Sequence, residues 1–286
     1  MSFKQKLSEK TGIDKKLLPS SYQIIGDVLL LKFMKIKSIK QKKRVASAIM
    51  KLLPYIKTVC EIIKVEKEFR VPKIRKLAGN GTITIHKEHG ILYKLDVSKI
   101  MFSKGNLNER QRLINKIKPG EIIIDMFAGI GYFSLGLAKF SKAKKIMAIE
   151  KNPVAFNYLK KNIKLNKIKN IEPILDDNRE ITEKLKEKAD RIIMGYFETK
   201  RRTSGASVSS TNKFLPYAIV MLKKRGTIHF HNTYKESELW IKPISEIDKL
   251  KKILSFNYKI LEKKKVKSIA PRTWHVVLDI EINNMV

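Results

Sequence analysis

Two hydrophobic periodicities alternate along the second half of the chain. Short apolar runs that end in a polar or turn residue predict buried strands, and stretches with apolar positions spaced by three and four predict helices. The predicted strands are Ile122 to Asp125, Lys145 to Glu150, Ile171 to Leu175, Arg191 to Tyr196 and Gly226 to His231. The predicted helices are Tyr132 to Phe140, Pro153 to Asn166, Thr182 to Lys188, Phe214 to Lys224 and residues 243–254.

The end of the chain departs from this alternation. Two strand-like stretches, Tyr258 to Ile269 and Trp274 to Ile282, are joined by residues 270–272 with no room for a helix between them. Strands that alternate with helices form a parallel sheet covered on both faces, and a short connection makes the last strand antiparallel. The second half is therefore predicted to be an α/β, Rossmann-like sheet with a terminal antiparallel strand.

The first half has mixed periodicity and predicts a small α+β domain. Residues 42–64 have the apolar spacing of a helix, with a break at Pro54. Ile24 to Phe33, Thr82 to Ile85 and Ile91 to Leu95 resemble strands. The polar residues 103–110 are expected to connect two domains, which we place at 1–99 and 100–286.

Charge narrows the functional class. The 286 residues include 61 Lys and Arg against 27 Asp and Glu, a formal net charge of +34. Such an excess favours a polyanionic partner, because binding phosphates releases their condensed counterions. A lysine-rich surface also serves solubility or heat resistance, but Glu usually balances Lys there, so nucleic acid is the favoured partner.

Other classes are disfavoured by composition. The single cysteine, Cys60, excludes an internal disulfide and a cysteine-based zinc site, and the five histidines are scattered, so no metal is expected. The longest apolar run, Phe214 to Leu222, contains Pro216 and is shorter than the roughly 20 residues that span a bilayer. No hydrophobic segment follows Met1, so we expect a cytoplasmic protein without a membrane partner.

Polar residues at the ends of the predicted strands indicate a nucleotide site. Asp125 is followed by Gly129 and Gly131, which allow a close approach of backbone to ligand at a helix N-terminus, and Glu150 ends the next strand, where it can accept ribose hydroxyls. A dinucleotide and S-adenosylmethionine both fit, although Ser134 replaces the small Gly or Ala of the dinucleotide fingerprint. The alternative is that the glycines only make tight turns.

Residues at the ends of the third, fourth and fifth predicted strands are candidates for contacts to adenine and to an acceptor base. Asp177 and Asn178 supply an acceptor and an amide suited to adenine. Met194 and Gly195 offer no side-chain acceptor for an exocyclic amine, whereas Tyr196 could stack on a flipped base or pack within its own loop. His231 shares a strand face with His229 and either borders the acceptor or is a buried histidine satisfied by its neighbours.

The run from Asp125 to Asn178, with Lys99 to Arg110 before it, resembles archaeal enzymes that modify base 37 of phenylalanine tRNA. This family includes the tRNA guanine-37 N1-methyltransferase and the wybutosine-pathway aminocarboxypropyltransferase. The latter moves the 3-amino-3-carboxypropyl group of S-adenosylmethionine to C7 of 4-demethylwyosine. Met194 to Tyr196, Gly226 to Thr233 and Ile269 to Val277 are similar to the aminocarboxypropyltransferase branch.

The resemblance implies a class I methyltransferase fold, an archaeal source and S-adenosylmethionine as co-substrate, without a metal. It implies that Ser103 and Arg110 hold the methionyl end, Glu150 the ribose, and Asp177 with Asn178 the adenine. Methylthioadenosine would be released, and the partner would be the anticodon region of tRNA(Phe). No catalytic residue is assigned, and no obligate protein partner is expected.

The segment from Glu198 to Asn212 is longer than the resemblance leads us to expect. It follows the fourth strand, at the edge where ligands bind in such sheets. Our hypothesis is that Lys200, Arg201 and Arg202 contact anticodon-stem phosphates, with an inert insertion as the alternative.

Two other functions stay open from the sequence. One is a position-37 methyltransferase acting on guanine N1 or on C7 of the tricyclic base. The other is a basic RNA-binding protein without catalytic activity. Product analysis separates the first from group transfer, and cofactor binding separates the second.

Overall fold

The computed structural model describes residues 2–65, 71–102, 106–195 and 210–284. The chain divides into two compact units, an N-terminal unit of Met1–Phe102 and a C-terminal unit of Ser103–Val286. Among the helices in the described ranges, none is long and apolar enough to span a bilayer.

The N-terminal unit is α+β. Its elements are α1 (Phe3–Thr11), β1 (Tyr22–Ile25), β2 (Val28–Leu31), α2 (Ile39–Leu52), β3 (Thr58–Val65), β4 (Pro72–Gly79), β5 (Ile83–Glu88) and β6 (Ile91–Asp96). Strands β1 to β4 form one sheet in that order, and β5 pairs with β6. The side chains of Ser2 and Ser38 accept backbone N–H hydrogen bonds at the starts of α1 and α2, which fixes where the helices begin.

The predicted helix over residues 42–64 is correct only in its first part. Helix α2 ends at Leu52, and after Pro54 the chain forms β3. This strand is parallel to β2 and antiparallel to β4. Its Val59 and Cys60 are fully buried. Pairing on both sides therefore decides the conformation of a segment whose apolar spacing also suits a helix.

The C-terminal unit is the predicted α/β sheet. Its helices are α3 (Leu107–Ile114), α4 (Ser134–Phe140), α5 (Pro153–Leu165), α6 (Asn178–Ile181), α7 (Leu215–Met221) and α8 (Ile241–Leu254). Its strands are β7 (Ile122–Asp125), β8 (Lys145–Glu150), β9 (Ile171–Leu175), β10 (Ala189–Met194), β11 (Leu222–Lys235), β12 (Phe256–Ala270) and β13 (Thr273–Asn284).

Strand order explains where a ligand can bind. The sheet runs β12-β13-β11-β10-β7-β8-β9, with the strands from β11 to β9 parallel and β13 antiparallel to both of its neighbours. The chain extends from β7 to β8 and β9 and then crosses back to β10. This reversal opens a crevice at the carboxyl ends of β7 and β10, where open α/β sheets bind ligands. The predicted Rossmann-like fold with a reversed terminal strand is confirmed.

Three predicted boundaries in this unit are wrong. Helix α6 with a short 3-10 turn at Glu183–Leu185 replaces the helix predicted at Thr182 to Lys188. Strand β11 starts at Leu222, because α7 ends at Met221 instead of continuing to Lys224. The polar stretch predicted as a connection becomes helical from Leu107, since Glu109 and Arg112 are held by buried partners described below.

Candidate functional site

A glycine-containing loop joins β7 to α4 at the crevice. Gly129 has a φ of +58° and Gly131 a φ of +99°, in the left-handed region that favours glycine. A Cβ on Gly129 would lie 2.7 Å from Cε2 of Tyr132, and one on Gly131 would lie 2.6 Å from Cγ of Leu135. Glycine is therefore required at both positions, and the loop leaves its backbone close to whatever occupies the crevice.

Asp125 shapes this loop from beneath. Its carboxylate accepts a hydrogen bond from Oγ of Ser134 at 2.6 Å and one from the backbone N–H of Phe127 at 3.3 Å. The side chain is fully buried, and burial raises the pKa of Asp125 to about 6. Asp125 thus lies under the predicted cofactor site and supports the turn from the strand into α4.

Glu150, at the end of β8, connects the loop to the next helix. One carboxylate oxygen accepts from the backbone N–H of Gly129 and the other from that of Asn152, each at 2.7 Å. Burial raises the pKa of Glu150. A carboxylate offers about four acceptor positions, so Glu150 can still accept a hydroxyl.

Asp177 and Asn178 follow β9 but have different surroundings. Asp177 caps α6 and binds the Arg179 guanidinium at 2.6 and 2.9 Å, with Nζ of Lys151 at 3.0 Å, and these cations hold its pKa well below the usual range. Asn178 is buried, and its amide donates to the backbone carbonyl of Met126 at 2.5 Å. Its buried Oδ1 accepts no hydrogen bond within the described residues. An adenine amino group is a donor of the kind this oxygen lacks.

Arg110 approaches the same loop from α3. Its guanidinium carbon lies 5.2 Å from the centroid of the Tyr132 ring, the ring that flanks Gly129. Arg110 is thus linked to the glycine loop through Tyr132, and Glu150 is linked to the same loop through Gly129. Asn178 contacts the backbone of Met126, which precedes that loop. Ser103 lies outside the described residues.

The residues predicted to face an acceptor base are only partly within the described ranges. Tyr196 and the basic residues Lys200, Arg201 and Arg202 lie outside them. His231 is fully buried, with Nδ1 3.1 Å from Nε2 of His275 and its ring 5.5 Å from the Phe133 ring. Burial lowers the pKa of His231, so the ring is neutral. Phe133 packs in turn against Gly195 at the end of β10, where a Cβ would lie 2.8 Å from its ring.

Sequence reasoning missed a buried ion network behind α3. Arg112 binds Glu109 at 2.7 and 2.8 Å and Asp279 of β13 at 2.6 and 3.0 Å. Asp279 also contacts Nδ1 of His229 at 2.6 Å, and His229 in turn contacts Arg191 at 2.7 Å. His229 is thus a buried histidine satisfied by its neighbours. The network fastens α3, and with it Arg110, to the sheet.

No group of three or more His, Cys, Asp or Glu within the described part of the chain is arranged to hold a metal ion. The site is instead a cradle of backbone, carboxylates and amides. The Arg110 guanidinium lies at the end of this cradle nearest α3, and the unsatisfied Oδ1 of Asn178 lies at the end nearest β9. This arrangement suits a nucleoside that carries an amino-acid tail.

Comparison with known proteins supports that interpretation. The family model for the TRM5/TYW2 methyltransferase domain matches residues 84–261, and the model for the TYW2 N-terminal domain matches residues 3–82. The chain is 43% identical over 272 residues to the tRNA(Phe) (4-demethylwyosine(37)-C(7)) aminocarboxypropyltransferase of Methanocaldococcus jannaschii. This similarity covers 92% of the chain and 98% of that protein.

Two solved structures are similar to the whole chain or nearly so. The crystal structure of Pyrococcus horikoshii TYW2 in complex with MeSAdo has a TM-score of 0.83 and 36% identity, covering 99% of this chain and 100% of the other. That of M. jannaschii TYW2 in complex with AdoMet has a TM-score of 0.73 and 38% identity, covering 93% and 100%.

Proposed function

Since the chain belongs to the TRM5/TYW2 methyltransferase-domain family, we propose that it is a tRNA 4-demethylwyosine aminocarboxypropyltransferase. It transfers the 3-amino-3-carboxypropyl group of S-adenosylmethionine to C7 of 4-demethylwyosine at position 37 of tRNA(Phe). The observation that carries this proposal is the 43% identity, over nearly the full length of both chains, to an enzyme named for that reaction.

The residues of the cradle fit S-adenosylmethionine. The unsatisfied Oδ1 of Asn178 meets the need of the adenine amino group, with Asp177 beside it. Glu150 accepts the ribose hydroxyls, while Gly129 and Gly131 admit the nucleoside close to the backbone. Arg110 binds the carboxylate of the amino-acid tail, because a guanidinium pairs well with a carboxylate, and Ser103 assists at the same end.

Orientation decides which group is transferred. All three carbons on the sulfonium of S-adenosylmethionine are electrophilic, so the enzyme must present the tail carbon and not the methyl to the base. Arg110, held by α3, anchors the tail on one side of the glycine loop. The bond from the tail carbon to C7 forms as the carbon–sulfur bond breaks. Methylthioadenosine leaves neutral, and C7 loses a proton.

The RNA side of the proposal rests on charge and placement. The net charge of +34 suits a tRNA, and the basic N-terminal domain, residues 1–99, would contact it while residues 100–286 carry the chemistry. Lys200, Arg201 and Arg202 would bind anticodon-stem phosphates. Tyr196 would stack on the base, and His231, whose ring lies 5.5 Å from that of Phe133, would border the acceptor. A cytoplasmic enzyme without an obligate protein partner completes the proposal.

A product assay tests this function against its alternatives. The protein is incubated with hypomodified tRNA(Phe) that carries 4-demethylwyosine and with S-adenosylmethionine, and the nucleoside released is identified. Methylthioadenosine in equal amount to modified base supports the proposal. S-adenosylhomocysteine would mean methylation instead, and failure to bind S-adenosylmethionine by calorimetry would leave only an RNA-binding role.

A further inference from the structure

Asn106, the residue before α3, is a buried polar side chain with an unmet hydrogen-bonding need. It is 8% exposed, and its Oδ1 accepts no hydrogen bond within the described residues. A buried acceptor left without a donor destabilises the folded chain unless something else supplies the donor. The oxygen therefore marks a place where a ligand donor can bind.

The usual structural role of asparagine at this position is absent. An asparagine at a helix N-cap normally accepts a hydrogen bond from a backbone N–H in the first turn. The Asn106 side chain makes no such bond to α3. Capping therefore does not account for its burial.

Its neighbours connect Asn106 to the glycine loop. Asn106 immediately precedes α3, and Arg110 lies four residues later, about one helical turn along the chain. Arg110 lies over Tyr132 beside Gly129. The other side of the helix carries Glu109 and Arg112, which the ion network holds to β13.

We propose that Asn106 binds the α-ammonium group of the S-adenosylmethionine tail through its carboxamide oxygen, beside Arg110, which takes the carboxylate. The two groups of the tail share one carbon, so their acceptor and donor must be neighbours on the protein, as these residues are. An amide oxygen receives the ammonium without adding a negative charge, whereas an aspartate would pair with the guanidinium of Arg110. This assignment deepens the proposed function and rests on it.

Binding of truncated ligands isolates the contact. We expect Asn106→Ala to bind S-adenosylmethionine about 10- to 100-fold more weakly by calorimetry, because the lost hydrogen bond involves a charged group. Methylthioadenosine lacks the tail, so its affinity should stay within twofold of the parent protein. Decarboxylated S-adenosylmethionine keeps the amine and lacks the carboxylate, so the variant should lose the same factor for it.

Arg110→Gln gives the matched comparison. It should weaken S-adenosylmethionine but leave the affinity for the decarboxylated ligand unchanged relative to the parent. Asn106→Ser guards against a folding defect in the alanine variant, because serine is a good N-cap residue and its shorter side chain still removes the amide oxygen. It should show the same ligand pattern, with the thermal midpoint of the parent.

The possible results separate this inference from the proposed function. An equal loss for methylthioadenosine, or unchanged binding of every ligand, would refute the role of Asn106 alone. A loss confined to the carboxylate-bearing ligand would overturn it too, because Asn106 would then serve the carboxylate. If the parent protein bound no S-adenosylmethionine, the proposed function and the inference would both fail.

Discussion

Replacing Asp279 by asparagine should destabilise the C-terminal unit strongly while keeping the shape of the side chain. The carboxylate is almost fully buried and contacts Arg112 at 2.6 and 3.0 Å, His229 at 2.6 Å and Lys116 at 3.3 Å. An amide cannot neutralise the Arg112 guanidinium, which would stay buried with one fewer anion.

The magnitude follows from burial. Removing one partner of a buried ion pair costs about 3–5 kcal/mol. In a unit of this size each kcal/mol lowers the unfolding midpoint by about 2–4 °C, so we expect a drop of about 6–20 °C. Burial alone would raise the pKa of Asp279, but hydrogen bonds from His229 and Arg112 outweigh it and hold the pKa well below its usual range. The stabilisation is therefore present at neutral pH and is lost only in strong acid.

Tryptophan fluorescence during thermal unfolding measures this effect, because Trp240 and Trp274 both lie in the C-terminal unit. Glu281→Gln is the matched control. It lies on the same strand, and its partner Arg225 is largely exposed, so its loss should cost at most about 1 kcal/mol. If Asp279→Asn shifted the midpoint no more than this control, the network would not hold α3 in the way described.

Three further predictions concern the cradle itself. Gly131→Ala forces a Cβ to within 2.6 Å of Leu135 at a φ of +99°, so S-adenosylmethionine affinity measured by calorimetry should fall at least about tenfold; unchanged affinity would contradict the close-packed loop. Because burial raises the pKa of Asp125 to about 6, its contribution to stability should fall as pH rises from about 4 to about 6. Urea unfolding across this range should show the parent losing stability relative to Asp125→Asn, and parallel curves would refute it. Arg110→Gln should raise the ratio of S-adenosylhomocysteine to methylthioadenosine in the product assay, since the tail loses its anchor; an unchanged ratio would rule out that anchor.

Strand positions in the parallel sheet were predictable because their determinants are local. The bounds of β7, β8 and β9 agree with their predicted runs. The inner strands β7 and β8 are mostly buried and show the nearly continuous hydrophobic sequence of such strands, whereas β9 lies at the sheet edge. The polar residues that end these strands were expected to gather at one edge, and Glu150 does contact the backbone of Gly129 there. The order of strands and helices along the chain was therefore enough to predict that these polar residues lie at one edge of the sheet.

Features that depend on distant pairing were not predictable. Residues 58–65 satisfy both helical and strand spacing, and only the neighbours β2 and β4 select the strand. Arg112 and Asp279 are 167 residues apart, so the sequence around neither residue predicts that they form an ion pair. Asn106 lay in a polar stretch that resembled a connection, and its significance appears only from its burial.

The link between Arg112 and Asp279 also sets an order of events during synthesis. Helix α3 leaves the ribosome long before β13, and the carboxylate that fastens it arrives 167 residues later. Until then Arg112 has Glu109 as its partner on the same helix but no tie to the last strand. The contact that fastens α3 to β13 can therefore form only after nearly all of the C-terminal unit has been translated.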